Sequence, residues 1–381
     1  MIVFVDVLGF TIILPLLPFY SESFGATPLM VGALVSVYGL CQLISGPILG
    51  QLSDRIGRRP VLLLSQVGTL AGFIMLALAN QLWIIFLARI IDGITAGNIT
   101  VAQAYISDVT TPAERTKAMG MIGAAFGLGF ILGPAISGLL SGHGNFSPIW
   151  AACVLSFLSI LGTFFFLKDI PKSEEERPKV SKRTAYTELL QSQKVRSYYL
   201  SFLAFAFSFA TVTSGLALYC ERKLIWSGHP FGPQQVGYLL AYSGLINLSI
   251  QILFLGELVK KFGEEKLMRF AFVSSTIGLC LIGISSELVF FVGGLTLNSI
   301  GNALLRPNIT GLISKNVSPR HQGLALGFVQ TVMSIAQIVA PIVSGILIGR
   351  ELFLGYTLTA AFASFLGFIS TFVCPSQKAS V

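Results

Sequence analysis

Three ionisable residues interrupt long apolar stretches in the first half of the sequence, namely Asp6, Arg89 and Asp92. A charge held in lipid costs several kcal/mol unless it is paired or hydrated, so such residues mark candidate sites. Low dielectric favours a neutral carboxyl and a nearby arginine favours the carboxylate, so their relative movement could load and unload a proton. We therefore expect Asp6 to carry a proton and Arg89 to tune it. Arg89 and Asp92 share a helix face, so Asp92 is either a third member of this site or only a static partner of Arg89.

Other kinds of chemistry lack the necessary residues. The five cysteines and three histidines are far apart, with no spacing typical of a metal site or a disulfide framework. No nucleophile has a base beside it, and no phosphate-binding glycine loop is present. The sequence predicts no enzyme, no cofactor and no metal, and without an ATP-binding loop any uphill work must draw on an ion gradient.

The composition indicates the elements that hold these residues. Of 381 residues, 54% are hydrophobic and 11% charged, whereas an ordinary soluble domain has roughly 25% charged residues. The net charge of +8 comes from short clusters between apolar runs. Such clusters orient membrane helices and contact anionic lipid, and they form no continuous basic face for nucleic acid. Membrane lipids are the expected partners.

Twelve apolar runs are about as long as a membrane-spanning helix, which needs roughly 20 residues. The predicted fold is therefore an all-α integral membrane protein. The predicted spans are 2–20, 31–51, 61–79, 82–106, 118–141, 148–167, 198–220, 235–256, 267–285, 288–313, 324–348 and 353–373.

The distribution of basic residues predicts the orientation. Successive loops between spans lie on alternate sides of the membrane. Of the 25 Lys and Arg, 20 lie at the loops of one side or at the C-terminus, and three lie at the loops of the other side. The positive-inside rule then puts both termini in the cytoplasm. We expect a bundle over 1–168, a cytoplasmic linker over 169–197 and a second bundle over 198–381. A bacterial inner membrane is the expected location.

The two halves repeat one pattern. Gly133-Pro134 recurs 207 residues later as Ala340-Pro341, and Gly50 and Gly57 recur 206 residues later as Gly256 and Gly263. Pseudo-symmetric six-helix bundles of this kind are a transporter architecture, with the substrate site at their interface.

Three sequence motifs resemble those of the major facilitator superfamily, most closely its drug:proton antiporter branch. The first is the loop between spans 2 and 3, formed by Gly50, Asp54, Arg55, Gly57, Arg58 and Arg59. The second is the glycine run of span 5, formed by Gly120, Gly129, Gly133, Pro134, Ser137 and Gly138, with serine at 137 where that branch usually has glycine. The third is Arg89-x3-Gly93-x3-Gly97 in span 4.

The resemblance implies a role for each motif. Asp54 and Arg58 would join Asp108 in a cytoplasmic network that latches one conformation, and the span 5 run would be the antiporter signature. A solvated positive-inside loop is the alternative for the first motif. For the second, the residues themselves predict small-residue packing against a helix of the other half, with a local bend at Pro134.

Several polar residues within the spans are candidates for a substrate cavity. Arg306 could meet an anionic or zwitterionic substrate or could pair with a neighbouring helix. The other candidates are Gln42, Gln103, Asn247, Gln251, Asn302, Gln330 and Gln337. We expect a monomeric, proton-coupled exporter of small amphiphilic compounds. The alternatives are a facilitator or antiporter for a sugar, polyamine or lipid, and a sensor on the same fold that does not transport.

Overall fold

The computed structural model describes residues 2–110, 112–142, 144, 146–168, 192–285, 287–318 and 321–372. Almost all of these residues are helical. One short antiparallel pair of strands is present, in which Trp226 lies opposite His229. The elements are α1 Ile2–Ile13, α2 Leu17–Glu22, α3 Pro28–Ile56, α4 Arg58–Ala77, α5 Leu82–Thr95, α6 Asn98–Val109, α7 Pro112–Ser141, α8 Ser147–Phe166, α9 Gln193–Lys223, β1 Ile225–Trp226, β2 His229–Pro230, α10 Pro233–Ser249, α11 Leu255–Phe262, α12 Glu264–Ile284, α13 Leu288–Lys315, α14 Gln322–Gly349 and α15 Phe353–Ser370.

Ten helical stretches of the described residues are long and apolar enough to cross a membrane. They match predicted spans 2 to 4 and 6 to 12. Two shorter apolar helices, Ile2–Ile13 and Ala125–Ser141, lie at predicted spans 1 and 5. The all-α membrane fold is therefore confirmed. The predicted linker lies mostly outside the described residues, and its end from Gln193 belongs to α9.

Three of the predicted spans depart from one regular α-helix. The first span stops at Ile13 and resumes at Leu17, because Pro15 and Pro18 cannot donate the backbone hydrogen bonds of a helix interior. The fourth breaks between α5 and α6, next to Gly97, where glycine weakens the helix. Between α10 and α11 a π-helical turn covers Ile250–Phe254, a wide helical form that often occurs at functional sites.

Two sharp corners occupy the same place in the repeat. Gly57 joins α3 to α4 with φ 104°, and Gly263 joins α11 to α12 with φ 77°. A residue with a side chain rarely adopts such a positive φ, so glycine is required at both corners. These corners fix where the charged ends of the neighbouring helices lie.

The chain forms two compact units. One comprises Met1–Glu174, Thr213–Leu245 and Pro341–Arg350, and the other comprises Glu175–Val212, Ile246–Ala340 and Glu351–Val381. In the first unit, α1, α4 and α8 surround an apolar core. In the second, α9, α12, α13 and α14 share another. The division cuts through α9, α10 and α14, so these units do not coincide with the two halves of the sequence repeat.

Candidate functional site

The first unit buries an ion pair on α5. The Arg89 Nη2 atom lies 3.2 Å from the Asp92 Oδ2 atom, one helical turn away. Arg89 is 2% exposed and Asp92 4% exposed. The pair is held in place by tight helix packing, because a Cβ at Gly93 would lie 2.8 Å from the backbone oxygen of Tyr38. The predicted pairing is therefore present and sealed from solvent.

Polar groups from three other helices surround this pair. The guanidinium carbon of Arg89 lies 5.8 Å from the centre of the Tyr38 ring on α3. The side chain of Thr69 on α4 hydrogen-bonds Asp92, and Asp6 on α1 interacts electrostatically with Asp92. The expected residues Asp6, Arg89 and Asp92 thus lie in one cluster, and the sequence analysis did not anticipate Tyr38 or Thr69.

The Asp6 carboxyl is only partly satisfied. The Asn98 side chain, at the start of α6, hydrogen-bonds it. Its Oδ2 atom is buried and has no hydrogen-bond partner among the described residues, and the same holds for the Oδ1 atom of Asn98. A buried carboxylate oxygen without a donor is costly, whereas a protonated carboxyl can donate to an acceptor. Asp6 can therefore hold a proton, and its electrostatic interaction with the buried pair is with Asp92.

The α3–α4 corner carries the predicted charge network. Arg58 bridges Asp54, at 2.6 Å, and Asp108 at the end of α6, at 2.9 Å. It also donates to the Ser53 hydroxyl at 2.6 Å. The Arg58 side chain is 10% exposed and that of Asp54 59% exposed, so the network has a largely buried arginine at its centre and a solvated carboxylate at its edge.

The other two arginines of this loop behave differently. Arg59 donates to the Phe164 carbonyl near the end of α8 at 2.5 Å, and its guanidinium carbon lies 5.5 Å from the centre of that ring. Arg55, in the last turn of α3, is exposed. Arg59 therefore ties the corner to α8, and no contact seen in the described residues gives Arg55 such a role.

The second unit holds an equivalent pair of opposite polarity. Glu264 follows the Gly263 corner and forms an ion pair with Lys315 at the end of α13, at 2.7 Å. By the repeat, Glu264 corresponds to Arg58 and Lys315 to Asp108. No role was predicted for either residue from the sequence, although their positions in the repeat match those of Arg58 and Asp108.

The glycine run of α7 contacts two different helices of the first unit. Thr11 on α1 donates to the Gly129 carbonyl at 2.8 Å, and a Cβ at Gly133 would collide with the Thr11 side chain. The expectation that this part of the run meets the second half was therefore wrong. Both glycines lie on the α1 side of the helix, where the side chains of Val7 and Thr11 leave no room for a Cβ at Gly129 and Gly133 respectively.

Further along α7 the expected contact is present. A Cβ at Gly237 of α10 would lie 2.7 Å from the Pro134 carbonyl oxygen and from the Gly138 Cα atom. Ser137 is fully buried. Only the backbone is described at Gly120. The run therefore packs against both halves of the sequence, in two segments.

The predicted cavity residues divide between the units. Gln42 and Gln103 lie in the first, and Gln42 Nε2 is 3.5 Å from the Tyr38 hydroxyl. Gln103 and Gln251 are exposed although each lies in a membrane-crossing stretch, and Gln251 belongs to the π turn. The second unit holds Asn247, Gln251, Asn302, Arg306, Gln330 and Gln337.

No group of three or more potential metal ligands occurs within the described residues. Buried charges inside a helical membrane protein built on a repeat are typical of secondary transporters. The chain belongs to the Major Facilitator Superfamily, which matches residues 1–253 and 224–380. It is a multi-pass membrane transporter and not an enzyme, and the resemblance drawn from its motifs is confirmed.

Curated relatives cover nearly the whole chain. Multidrug resistance protein 2 of Bacillus subtilis (strain 168) is 29% identical over an alignment of 382 residues that covers 99% of this chain and 94% of that protein. The class D tetracycline resistance protein of Salmonella ordonez is 31% identical over an alignment of 350 residues that covers 90% of this chain and 86% of that protein.

Solved structures share the fold at low identity. The human organic anion transporter MFSD10 (TETRAN) has a TM-score of 0.72 at 23% identity, covering 97% of both chains. A bacterial homologue of the human lysosomal transporter Spinster has a TM-score of 0.79 at 13% identity, covering 98% of this chain and 95% of that one.

Proposed function

We propose that this protein is a proton-coupled antiporter that exports small amphiphilic organic compounds, including drugs, by alternating access. The observation that carries the proposal is the partly satisfied Asp6 carboxyl beside the buried Arg89–Asp92 pair. Relatives named for multidrug and tetracycline resistance support the substrate class.

In this proposal Asp6 carries the proton. Asp92 keeps Arg89 charged and oriented, because a buried arginine without a partner is costly. Substrate entering the site favours loss of the proton, and protonation of Asp6 favours return of the empty transporter. The alternative is that the Arg89–Asp92 pair only stabilises α5. That role would not explain why an Asp6 carboxyl oxygen is buried without a hydrogen-bond donor.

The corner network is proposed as the conformational latch. Asp54 and Asp108 hold Arg58 from two helices, so separating these helices breaks one ion pair at a time. Gly50 and Gly57 allow the corner to form, and Arg59 anchors it to α8. The equivalent Glu264–Lys315 pair would act in the same way in the second half.

The proposed architecture has twelve spans in bundles over 1–168 and 198–381, joined by a linker over 169–197. The excess of basic residues on one side supports cytoplasmic termini, and the bacterial relatives support a cell membrane. The protein would act as a monomer surrounded by lipid. A polar side chain within a span is expected to face water or a protein interior. The exposed Gln103 therefore supports a water-filled cavity in the first unit, and the exposed Gln251 supports one in the second.

The test uses purified protein in liposomes with an acidic interior, in which antiport should accumulate a substrate. Tetracycline and the fluorescent cation ethidium are the probes, and a pH-sensitive dye reports the interior. We expect accumulation of at least one probe with matching alkalinisation, both abolished when the gradient is collapsed. Uptake that persists without the gradient would replace antiport by facilitated diffusion.

A further inference from the structure

Two glutamates and an arginine meet in the first unit, at the helix ends opposite to the Arg58 corner. The Arg222 Nη2 atom lies 2.6 Å from Glu22 Oε1, and its Nη1 atom lies 3.3 Å from Glu221 Oε2. Glu22 ends α2 and Arg222 lies in the last turn of α9. The residues are about 200 positions apart in sequence, and the sequence analysis gave them no role.

The two carboxyl groups also contact each other. The two carboxyl groups flank one guanidinium, which brings Glu221 within hydrogen-bond reach of the Glu22 side chain, and Glu22 and Arg222 are the charged groups that act on it. The neighbouring Lys223 ammonium lies 5.5 Å from the centre of the Tyr219 ring. A hydrogen bond between two carboxyl groups requires a proton on one of them, since two carboxylates offer only acceptors. Arg222 can neutralise only one of the two carboxylates. The charge of the other is removed only when that carboxyl binds a proton.

Backbone close approaches also join helices within the same unit. A Cβ at Gly32 of α3 would collide with the Pro341 carbonyl oxygen of α14, and Gly237 approaches Pro134 in the equivalent way. Such approaches leave no room for intervening side chains, so these helices are tightly packed. The glutamates are 18% and 30% exposed, so solvent can reach them.

We propose that Glu22 and Glu221 form a second proton-binding site, which holds one proton while these helix ends are joined and releases it to solvent when they separate. The inference rests on the alternating access proposed above, but not on Asp6. When the ends part, each carboxyl regains water and both ionise, with Arg222 left beside Glu221. Low pH on this side therefore favours the joined state.

The proposed orientation places this site on the outer face. A proton taken from outside would close the outer ends and so favour the state open to the cytoplasm, where the exported compound binds. Because this proton returns to the same side, the site would set the pH dependence of closing, and Asp6 would couple the proton gradient to the substrate.

The experiment measures the separation of spin labels at Ser23→Cys and Ser227→Cys, in a protein from which the native cysteines have been replaced. We expect the joined fraction to rise as the pH falls from about 8 to about 5, because burial and a second carboxyl both raise the pKa of a carboxyl above its ordinary value. In Glu221→Gln the amide donates where the protonated carboxyl did, so the joined fraction should stay high at every pH.

Two controls separate this inference from the proposed function. Glu287→Gln removes an exposed carboxyl and should leave the pH response unchanged. Asp6→Asn should abolish gradient-driven export yet keep the pH response of the labels. A response that survives in Glu221→Gln would overturn the second site, whatever the transport assays give.

Discussion

Arg58 and Glu264 occupy equivalent positions in the two halves, directly after a glycine with positive φ, and carry opposite charges. Each forms an ion pair with the end of a later span, Arg58 with Asp108 and Glu264 with Lys315. The two corners therefore use one contact with its polarity reversed. An ion pair forms at both corners although the charges are exchanged between the partners. Opposite charge on the two partners therefore matters more than which partner is positive.

Reversing the charge of Glu264 should slow transport. In Glu264→Lys two ammonium groups face each other at the corner, whereas adding Lys315→Glu restores an ion pair. Because Lys315 is 65% exposed, the change in unfolding free energy should stay below about 1 kcal/mol. Transport rate and detergent melting temperature are measured together. Full activity in the single variant would show that this corner takes no part in the cycle.

Asp6→Asn should abolish uphill export while substrate binding persists. Asparagine keeps the size of the side chain and the contact with Asn98 but cannot exchange a proton. Binding is followed by fluorescence titration, and export by accumulation in liposomes with an acidic interior. Gradient-driven accumulation at the wild-type rate would remove Asp6 from the coupling mechanism.

Replacing one residue of the buried pair on α5 should lower the stability of the protein more than replacing both. Asp92→Asn leaves Arg89 buried without a counter-charge, and breaking a buried ion pair in this way typically costs about 3–5 kcal/mol. Arg89→Gln combined with Asp92→Asn removes both charges and should recover part of that loss. Melting temperatures of the single and double variants give the coupling energy. Equal losses that simply add would mean that the two side chains do not interact.

Gly133→Ala should destabilise the protein, because the new methyl group would meet Thr11 on α1. Overpacking of this kind typically costs about 1–3 kcal/mol. The matched control is Gly327→Ala, at the repeat position of Gly120, where a Cβ would have no heavy atom within 4 Å. If the two variants have equal stability, the α1–α7 contact is looser than the structure indicates. Proton leak, measured in the same liposomes, reports whether the packing also seals the bundle.

The sequence predicted those features that depend on local patterns. Ten spans follow from runs of apolar residues, and the Arg58 network follows from a continuous motif. The ion pair of Arg89 and Asp92 follows from their spacing on one helix. Asp6 was recognised because a lone carboxyl in an apolar run needs an explanation.

What the sequence did not predict depends on which helices become neighbours. Glu22 and Glu221 each end an apolar run and look like ordinary solvated residues until the fold joins their helices. For Gly133, small-residue spacing indicated close packing but not the identity of the neighbouring helix. The neighbour is Thr11 on α1. In the sequence its hydroxyl is a common feature of an apolar helix and does not indicate this contact.

The π turn of Ile250–Phe254 is the trace of a one-residue insertion. Before it, residues recur in the second half 205 positions later, as Gly32 does at Gly237, and after it 206 positions later, as Gly57 does at Gly263. The wide turn absorbs the extra residue within the helix, so the corner glycine keeps its place. A single deletion within this turn would therefore restore the register of the first half and a regular α-helix, and a mapping of cavity residues between the halves must change its offset here.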